Sequence, residues 1–207
     1  RYWSTNDDGT DVAASYRRGL ERWVVADAAE RSVGLGRVAD LLQRLGHWSA
    51  AVGICRERLS SAITRDDREE QAASRRDLGW LLQLRGAYAE SLEELSLALD
   101  LYMALGDRRG VAYAQGNMGV VYFRRGEYDR ALESYGVHLR ISEELGDRSG
   151  VAIAQGNMGI VYYSRGEYDR ALQSFGVMLR ISEALGDRSG VAIAQGNMGN
   201  VYFDCGE

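Results

Sequence analysis

The sequence predicts an all-α solenoid of antiparallel helix pairs, and three observations carry that prediction. First, the chain repeats itself: Gly106–Leu145 and Gly146–Leu185 agree at 31 of 40 positions, and Gly186–Glu207 agrees with Gly146–Glu167 at 18 of 22. Self-similarity at a fixed period of this size marks a stacked repeat array. Second, each period holds two apolar stripes at helical spacing, with no strand alternation. Third, Gly46, Gly86, Gly126, Gly166 and Gly206 recur every forty residues without slippage, at places where a helix would stop on a left-handed residue.

In chain order, Asn6-Asp7-Asp8-Gly9 is turn chemistry with Asp8 or Thr10 available as a cap. Asp11 to Ala29 then reads as a helix, with Val12, Tyr16, Leu20, Trp23 and Val24 on one stripe. Residues 1–30 are expected to form an N-terminal cap or junction. The array is expected over 31–207, with repeats at 31–67, 68–107, 108–147 and 148–187 and a half repeat at 188–207. Two residues after each register glycine come Trp48, Tyr88, Tyr128 and Tyr168; five after it come Ala51, Ser91, Ala131 and Ala171, always small. In the best-defined unit, Val151, Ala154, Met158, Val161 and Tyr162 stripe the first helix. Tyr168, Ala171, Leu172, Phe175, Leu179, Ser182 and Leu185 stripe the second. Asp187 is placed to cap the next first helix. Neither stripe can be hidden by its own helix, so the units must stack.

The spacing of Met158, Gly159, Tyr162, Gly166, Tyr168, Ala171 and Phe175 resembles the tetratricopeptide repeat, whose pattern puts L-G-x-x-Y in the first helix and A-x-x-x-F in the second. Two departures stand out. Gly-Asp replaces the usual proline between units, and the period exceeds the family's usual length of about 34, so both helices should be extended. The string G-D-R-x-G-x-A-x-A-x-G-N-M-G-x-V-Y looks like the long-repeat branch found in Pins/LGN-type spindle adaptors, kinesin light chains and bacterial signalling proteins. The resemblance implies a right-handed superhelix whose first helices line a concave groove for an extended protein or peptide ligand.

On that implied groove, Asn117, Asn157 and Asn197 lie off the apolar stripe, beside Gly116 and Gly156. A ladder of amides would hold a ligand backbone through both donor and acceptor; the same side chains could instead bond the neighbouring repeat and fix the stacking angle. Arg37 and Asp77 occupy this position in the first two repeats. Gly156 gives way to Arg76 in the second repeat, which suggests a shallow groove floor and not a packing requirement. Gly159, with Gly119, Gly79 and Ala39 in register, suggests closely touching helices. Side-chain variation at Tyr113/Ile153, Val120/Ile160 and Arg124/Ser164, with Asn200 and Asp204 in the last copy, would tune specificity, or reflect drift after duplication. Phe123, Tyr163 and Phe203 could stack on a ligand.

Composition excludes other classes. With 45% of residues hydrophobic and 27% charged the chain can bury a sizeable core. A net charge of −5 argues against a nucleic-acid partner. No run approaches the roughly eighteen apolar residues of a membrane span, and the acidic first thirty residues hold no signal-peptide core. Cys55 and Cys205 make no disulfide framework; Cys55 takes a core position, and a cytoplasmic location follows as the expectation. No cofactor or metal site is expected: His47 falls in a turn, His138 becomes Met178 in the next copy, and neither has zinc-like spacing. Gly34-Leu35-Gly36-Arg37-Val38-Ala39 mimics a dinucleotide fingerprint but has no strand before it. The charged residues Glu127, Asp129 and Arg130 read as dipole partners and solvated groups.

The function expected is non-catalytic: a protein-interaction scaffold. Two alternatives stand beside it. One is the sensor or autoinhibitory arm of a larger signalling enzyme, of STAND NTPase, kinase, cyclase or CHAT-protease type. The other is self-assembly end to end, as a homo-oligomer, through Met198, Val201 and Tyr202 of the half repeat. The chain opens at Arg1 without Met and stops within a repeat, as a piece of a longer protein would.

Overall fold

A computed structural model of the chain describes residues 28–206. The helix expected over Asp11–Ala29 therefore lies outside the described residues except for its last two, and the turn at Asn6–Gly9 lies wholly outside them. The described residues form nine α-helices and no strand: α1 (Ala28–Arg44), α2 (Trp48–Thr64), α3 (Arg68–Leu84), α4 (Tyr88–Leu105), α5 (Arg108–Arg124), α6 (Tyr128–Glu144), α7 (Arg148–Ser164), α8 (Tyr168–Leu185) and α9 (Arg188–Cys205). α1 starts three residues inside the segment read as a separate cap. Each helix has 17 or 18 residues, or about 26 Å at 1.5 Å per residue. The forty-residue period is thus spent on long helices joined by tight connections.

Those connections follow from two residue types. Gly46, Gly86, Gly106, Gly126, Gly146, Gly166, Gly186 and Gly206 all have positive φ, between 64° and 80°. A β-carbon would crowd the backbone in this conformation, so glycine ends the helix there with least strain. Asp66 takes the same conformation (φ 53°) where the register has lost its glycine. At the start of the first helices, Asp67, Asp107 and Asp147 each accept a hydrogen bond from the backbone N–H three residues on, at 3.1, 2.9 and 3.0 Å. Asp187 holds the matching place without that bond.

The chain forms two compact units, Arg1–Leu105 and Gly106–Glu207. In the first, α1 packs on α2, α2 on α3 and α3 on α4; its core centres on Leu42, Ile54, Cys55, Leu78 and Leu82. In the second, α5 to α9 pack in the same sequential way, and the first helices α5, α7 and α9 also touch in turn. Both units are the α-solenoid architecture of stacked antiparallel helix pairs. The crossing point within a pair is a glycine: a β-carbon at Gly79, Gly119 or Gly159 would stand 2.5–2.6 Å from the side chain of Leu95, Tyr135 or Phe175. The expectation of closely touching helices at these positions holds.

The half repeat differs from its expected description. Val201 is fully buried (0%) against the Tyr162–Phe175 cluster, where Met198 also packs. The large apolar side chains that α9 leaves open are Ile193, Tyr202 and Phe203, the last 82% exposed. The reason is that Val201 continues the stripe toward the preceding pair. No described helix is long and apolar enough to cross a membrane.

Candidate functional site

A 3.6-residue period gives each first helix one stripe at i, i+4, i+7 and i+11 that keeps accessible surface, although Tyr113 meets the His138 ring and Ile160 packs against the Tyr162–Phe175 cluster. On α5 it carries Tyr113, Asn117, Val120 and Arg124; on α7, Ile153, Asn157, Ile160 and Ser164; on α9, Ile193, Asn197, Asn200 and Asp204. All twelve retain solvent-accessible surface. Asn117, Asn157 and Asn197 are each half-buried, and none makes a side-chain hydrogen bond among the described residues. A role in fixing the stacking angle would need such a bond to the neighbouring repeat. The amides instead stand in a row, each with two donors and an acceptor unused.

The glycines beside them do not form a groove floor. Gly116 and Gly156 are buried, and a β-carbon on either would meet His138 Nδ1 at 2.8 Å or Met178 Sδ at 2.6 Å. Packing does require a small residue there, because a large side chain of the second helix lies against it. The replacement by Arg76 has a compensating partner: the residue in register with His138 and Met178 is then Ala98, fully buried. In the first repeat, Gly36 sits under Arg58, with its β-carbon position 3.3 Å from the guanidinium. Positions 22 apart thus trade volume: Gly36 with Arg58, Arg76 with Ala98, Gly116 with His138, Gly156 with Met178.

His138 is the anomaly of this row. It is 2% exposed and neither ring nitrogen has a hydrogen-bond partner among the described residues. Its ring meets that of Tyr113 in an edge-type arrangement, 5.9 Å between centroids. Burial pushes its pKa below the ordinary histidine value, against a smaller upward pull from the Asp147 carboxylate.

In the first unit, Arg37 and Asp77 line one cavity of about 330 Å³, together with Asp40, Gln43, Trp80 and, at its floor, Cys55 and Arg58. Asp77 is not a free carboxylate. It accepts from Arg58 at 3.1 Å and from Arg76 at 2.8 Å, while Arg58 also binds Glu70 at 2.6 Å. Burial opposes the Arg58 charge, but Glu70 and Asp77 more than offset it and hold the guanidinium protonated. The Cys55 thiol is pushed up to about 12, chiefly by burial and then by Asp77, so it is a core group with no thiolate character near neutral pH.

Several contacts had no sequence signal of their own. Tyr163 donates to Asp204 across adjacent first helices, and Ser164 donates back to the Ile160 carbonyl of its own turn at 2.9 Å. Tyr163 and Phe123 lie against Tyr168 and Tyr128 at 6.0 and 5.8 Å. Arg130, read from the sequence as a dipole partner or solvated group, and its repeat equivalent Arg170 lie over the Tyr122 and Tyr162 rings at 4.1 Å and donate to their hydroxyls at 3.0 and 3.1 Å. The shared forty-residue phase of tyrosine and arginine was the available clue.

A family model described as tetratricopeptide repeat matches residues 81–144 and 110–184. No curated protein matches the sequence. Among solved structures, the chain is similar to BtubC (BKLC) from P. vanneervenii, with 22% identity, TM-score 0.78, and coverage of 99% of this chain and 85% of that one. It is similar to the apo form of RapI (19% identity, TM-score 0.72, 94% and 55% covered). It is also similar to a Rap protein complexed with competence and sporulation factor (16% identity, TM-score 0.80, 92% and 57% covered). The chain therefore spans little more than half the length of these two Rap proteins.

Proposed function

The chain belongs to the tetratricopeptide repeat family, and from that premise we propose that it is a protein-interaction module whose first helices hold an extended segment of a partner. One observation carries this reading: Asn117, Asn157 and Asn197 recur every forty residues, half-buried and without a hydrogen bond among the described residues. An amide row of this kind suits a peptide backbone, which offers one donor and one acceptor per residue. The varied neighbours Tyr113/Ile153, Val120/Ile160/Asn200 and Arg124/Ser164/Asp204 would then set which side chains are accepted. The solved complex of a Rap protein with competence and sporulation factor supports a fold able to receive a partner.

The test starts from a peptide selected on an array against the 207-residue protein and measured by calorimetry. Each lost hydrogen bond is worth about 0.5–1.5 kcal/mol, so Asn117→Ala/Asn157→Ala should raise Kd by roughly thirtyfold or more if each amide makes two. An unchanged Kd at an unchanged melting temperature removes the amide row from the interaction. A second reading, the repeat array as the sensing arm of a larger signalling protein, is favoured by the partial coverage of both Rap structures. Full-length sequence without any catalytic or effector region would end it.

A further inference from the structure

The cavity of the first unit has a closed floor and an open rim, and the two together define a guest. Arg37 and Asp77 stand in the register of Asn117, and Asp40 and Trp80 in that of Val120. These four side chains line the cavity of about 330 Å³ that has Arg58 at its floor. The Arg58 side chain is 10% exposed. Its Nε and Nη2 donate to Glu70 at 3.0 and 2.6 Å, and its Nη1 donates to Asp77 at 3.1 Å. Asp77 accepts on its other oxygen from Arg76 at 2.8 Å. Two guanidiniums thus meet two carboxylates, so the floor carries no net charge. Three of the five Arg58 N–H groups are engaged, and the other two are unused among the described residues.

The rim is different. Arg37 and Asp40 lie one turn apart on α1 and both line the cavity, yet neither has a hydrogen bond or ion pair among the described residues, not even with the other. A cation N-terminal to its anion is the weaker orientation for such a pair on a helix. One free cation and one free anion therefore stand at the same opening. Half-buried Trp80 leaves its indole N–H unused among the described residues, and with buried Ala39 and Leu81 it supplies the apolar wall. A guest of single charge gains from one rim group and is opposed by the other. A guest with one charge of each sign on a common carbon gains from both. The volume lies at the lower end of small-molecule pockets, about 300–1,000 Å³, which suits one small zwitterion.

We propose that this cavity binds a single free α-amino acid with a large apolar side chain. Arg37 and the unused Arg58 N–H groups take its carboxylate, Asp40 takes its ammonium, and Trp80 and Leu81 receive the side chain. Every group involved lies in the first unit, so the proposal stands apart from the amide row and the partner segment. The test is calorimetry of the 207-residue protein with phenylalanine. Phenylalanine should bind one to one. Phenylalanine amide, N-acetylphenylalanine and glycine should each bind at least about tenfold more weakly, since each lacks one of the three contacts. Arg37→Gln and Asp40→Asn, at exposed sites and checked by melting, should each weaken phenylalanine by a similar factor. Arg37→Gln should leave phenylalanine amide unaffected, and Asp40→Asn should leave N-acetylphenylalanine unaffected. The proposal is overturned if phenylalanine does not bind, if either derivative binds as well, or if neither variant alters its affinity. Tighter binding of arginine or glutamate blocked at both ends would make the cavity a receptor for a partner's charged side chain and overturn it too. Asn117→Ala/Asn157→Ala should leave phenylalanine binding unchanged; its loss in that variant at an unchanged melting temperature would place the amino acid on the second unit and end the proposal.

Discussion

Replacing His138 with methionine should stabilise the second unit, and by more at acidic than at neutral pH. The perturbation is nearly isosteric in context, since Met178 occupies the same register under Gly156 that His138 occupies under Gly116. What changes is polarity. Two imidazole nitrogens are buried without partners among the described residues, and leaving a buried polar group unsatisfied costs about 1–3 kcal/mol. Even the lower figure corresponds to about 4–8 °C in melting temperature for a unit of 60–100 residues. The pH dependence follows from the lowered pKa in the fold. The unfolded chain takes up a proton near the reference value of about 6.5, while the folded chain resists it. Stability from this residue is therefore complete above about pH 6.5 and is lost below it, by up to about 1.4 kcal/mol per pH unit until the folded imidazole also protonates. Thermal melts of the two proteins from pH 8 to pH 5 read the difference directly, and contributions from carboxylates common to both cancel. The gap in melting temperature should be flat above pH 7 and widen below 6.5. A His138→Met protein that melts at or below the parent at pH 7.5, or a gap that stays constant on acidification, would refute the reasoning.

Other perturbations separate packing glycines from free ones. Gly159→Ala forces a β-carbon to within 2.5 Å of the Phe175 ring and should destabilise by about 1–3 kcal/mol through overpacking, measured by urea unfolding. Gly199→Ala, with nothing within 4 Å of its β-carbon position, should instead stabilise by about 0.5–1 kcal/mol through helix propensity; equal effects at the two sites would contradict the packing account. Asp66→Gly should raise the urea midpoint by relieving a left-handed conformation at φ 53°, a gain of about 0.5–1 kcal/mol after the added chain entropy of glycine. A lower midpoint would show that Asp66 contributes something its backbone does not reveal.

The fold was legible because the signals that specify it are local and repeated. The positive-φ glycines, the capping aspartates at 67, 107 and 147, and the small residues opposite Tyr135 and Phe175 each act within a turn or one helix pair, and the repeat prints them several times. The face was legible in part. A 3.6-residue period suffices to put Asn117, Asn157 and Asn197 on an accessible stripe, and the structure leaves them half-buried without hydrogen bonds among the described residues. Gly116 and Gly156 were misplaced because a helical wheel ranks positions within one helix and is silent about what the next helix lays against them. Val201 was misplaced for the same reason. Arg58 could not be foreseen as a partner of Asp77 and Glu70, since the three charges lie on two helices, and the guanidinium that joins them lies in the gap over Gly36.

That gap links the core to the face. At 36/58, 76/98, 116/138 and 156/178 the first helix and second helix share one volume, and each repeat divides it differently. Where the second helix supplies His138 or Met178, the shared volume closes and the amide beside it stands on a packed surface. Where it supplies Arg58, the side chain carries its charge to Glu70 and Asp77, and a cavity lined by Arg37, Asp40 and Trp80 opens over it. The residue that decides this lies on the second helix, outside the stripe that meets solvent. It can change without disturbing the glycine ends, the caps or the ring-on-glycine crossings, because none of those contacts includes it. An array built from near-identical units can thus alter the chemistry of its accessible first-helix face from underneath, one repeat at a time. Exchanging Arg58 for methionine tests that separation: it should close the cavity toward the form seen at Gly156 while α1 and α2 keep their pairing, and hydrogen exchange across Leu42, Ile54 and Leu59 would report whether the pairing survives.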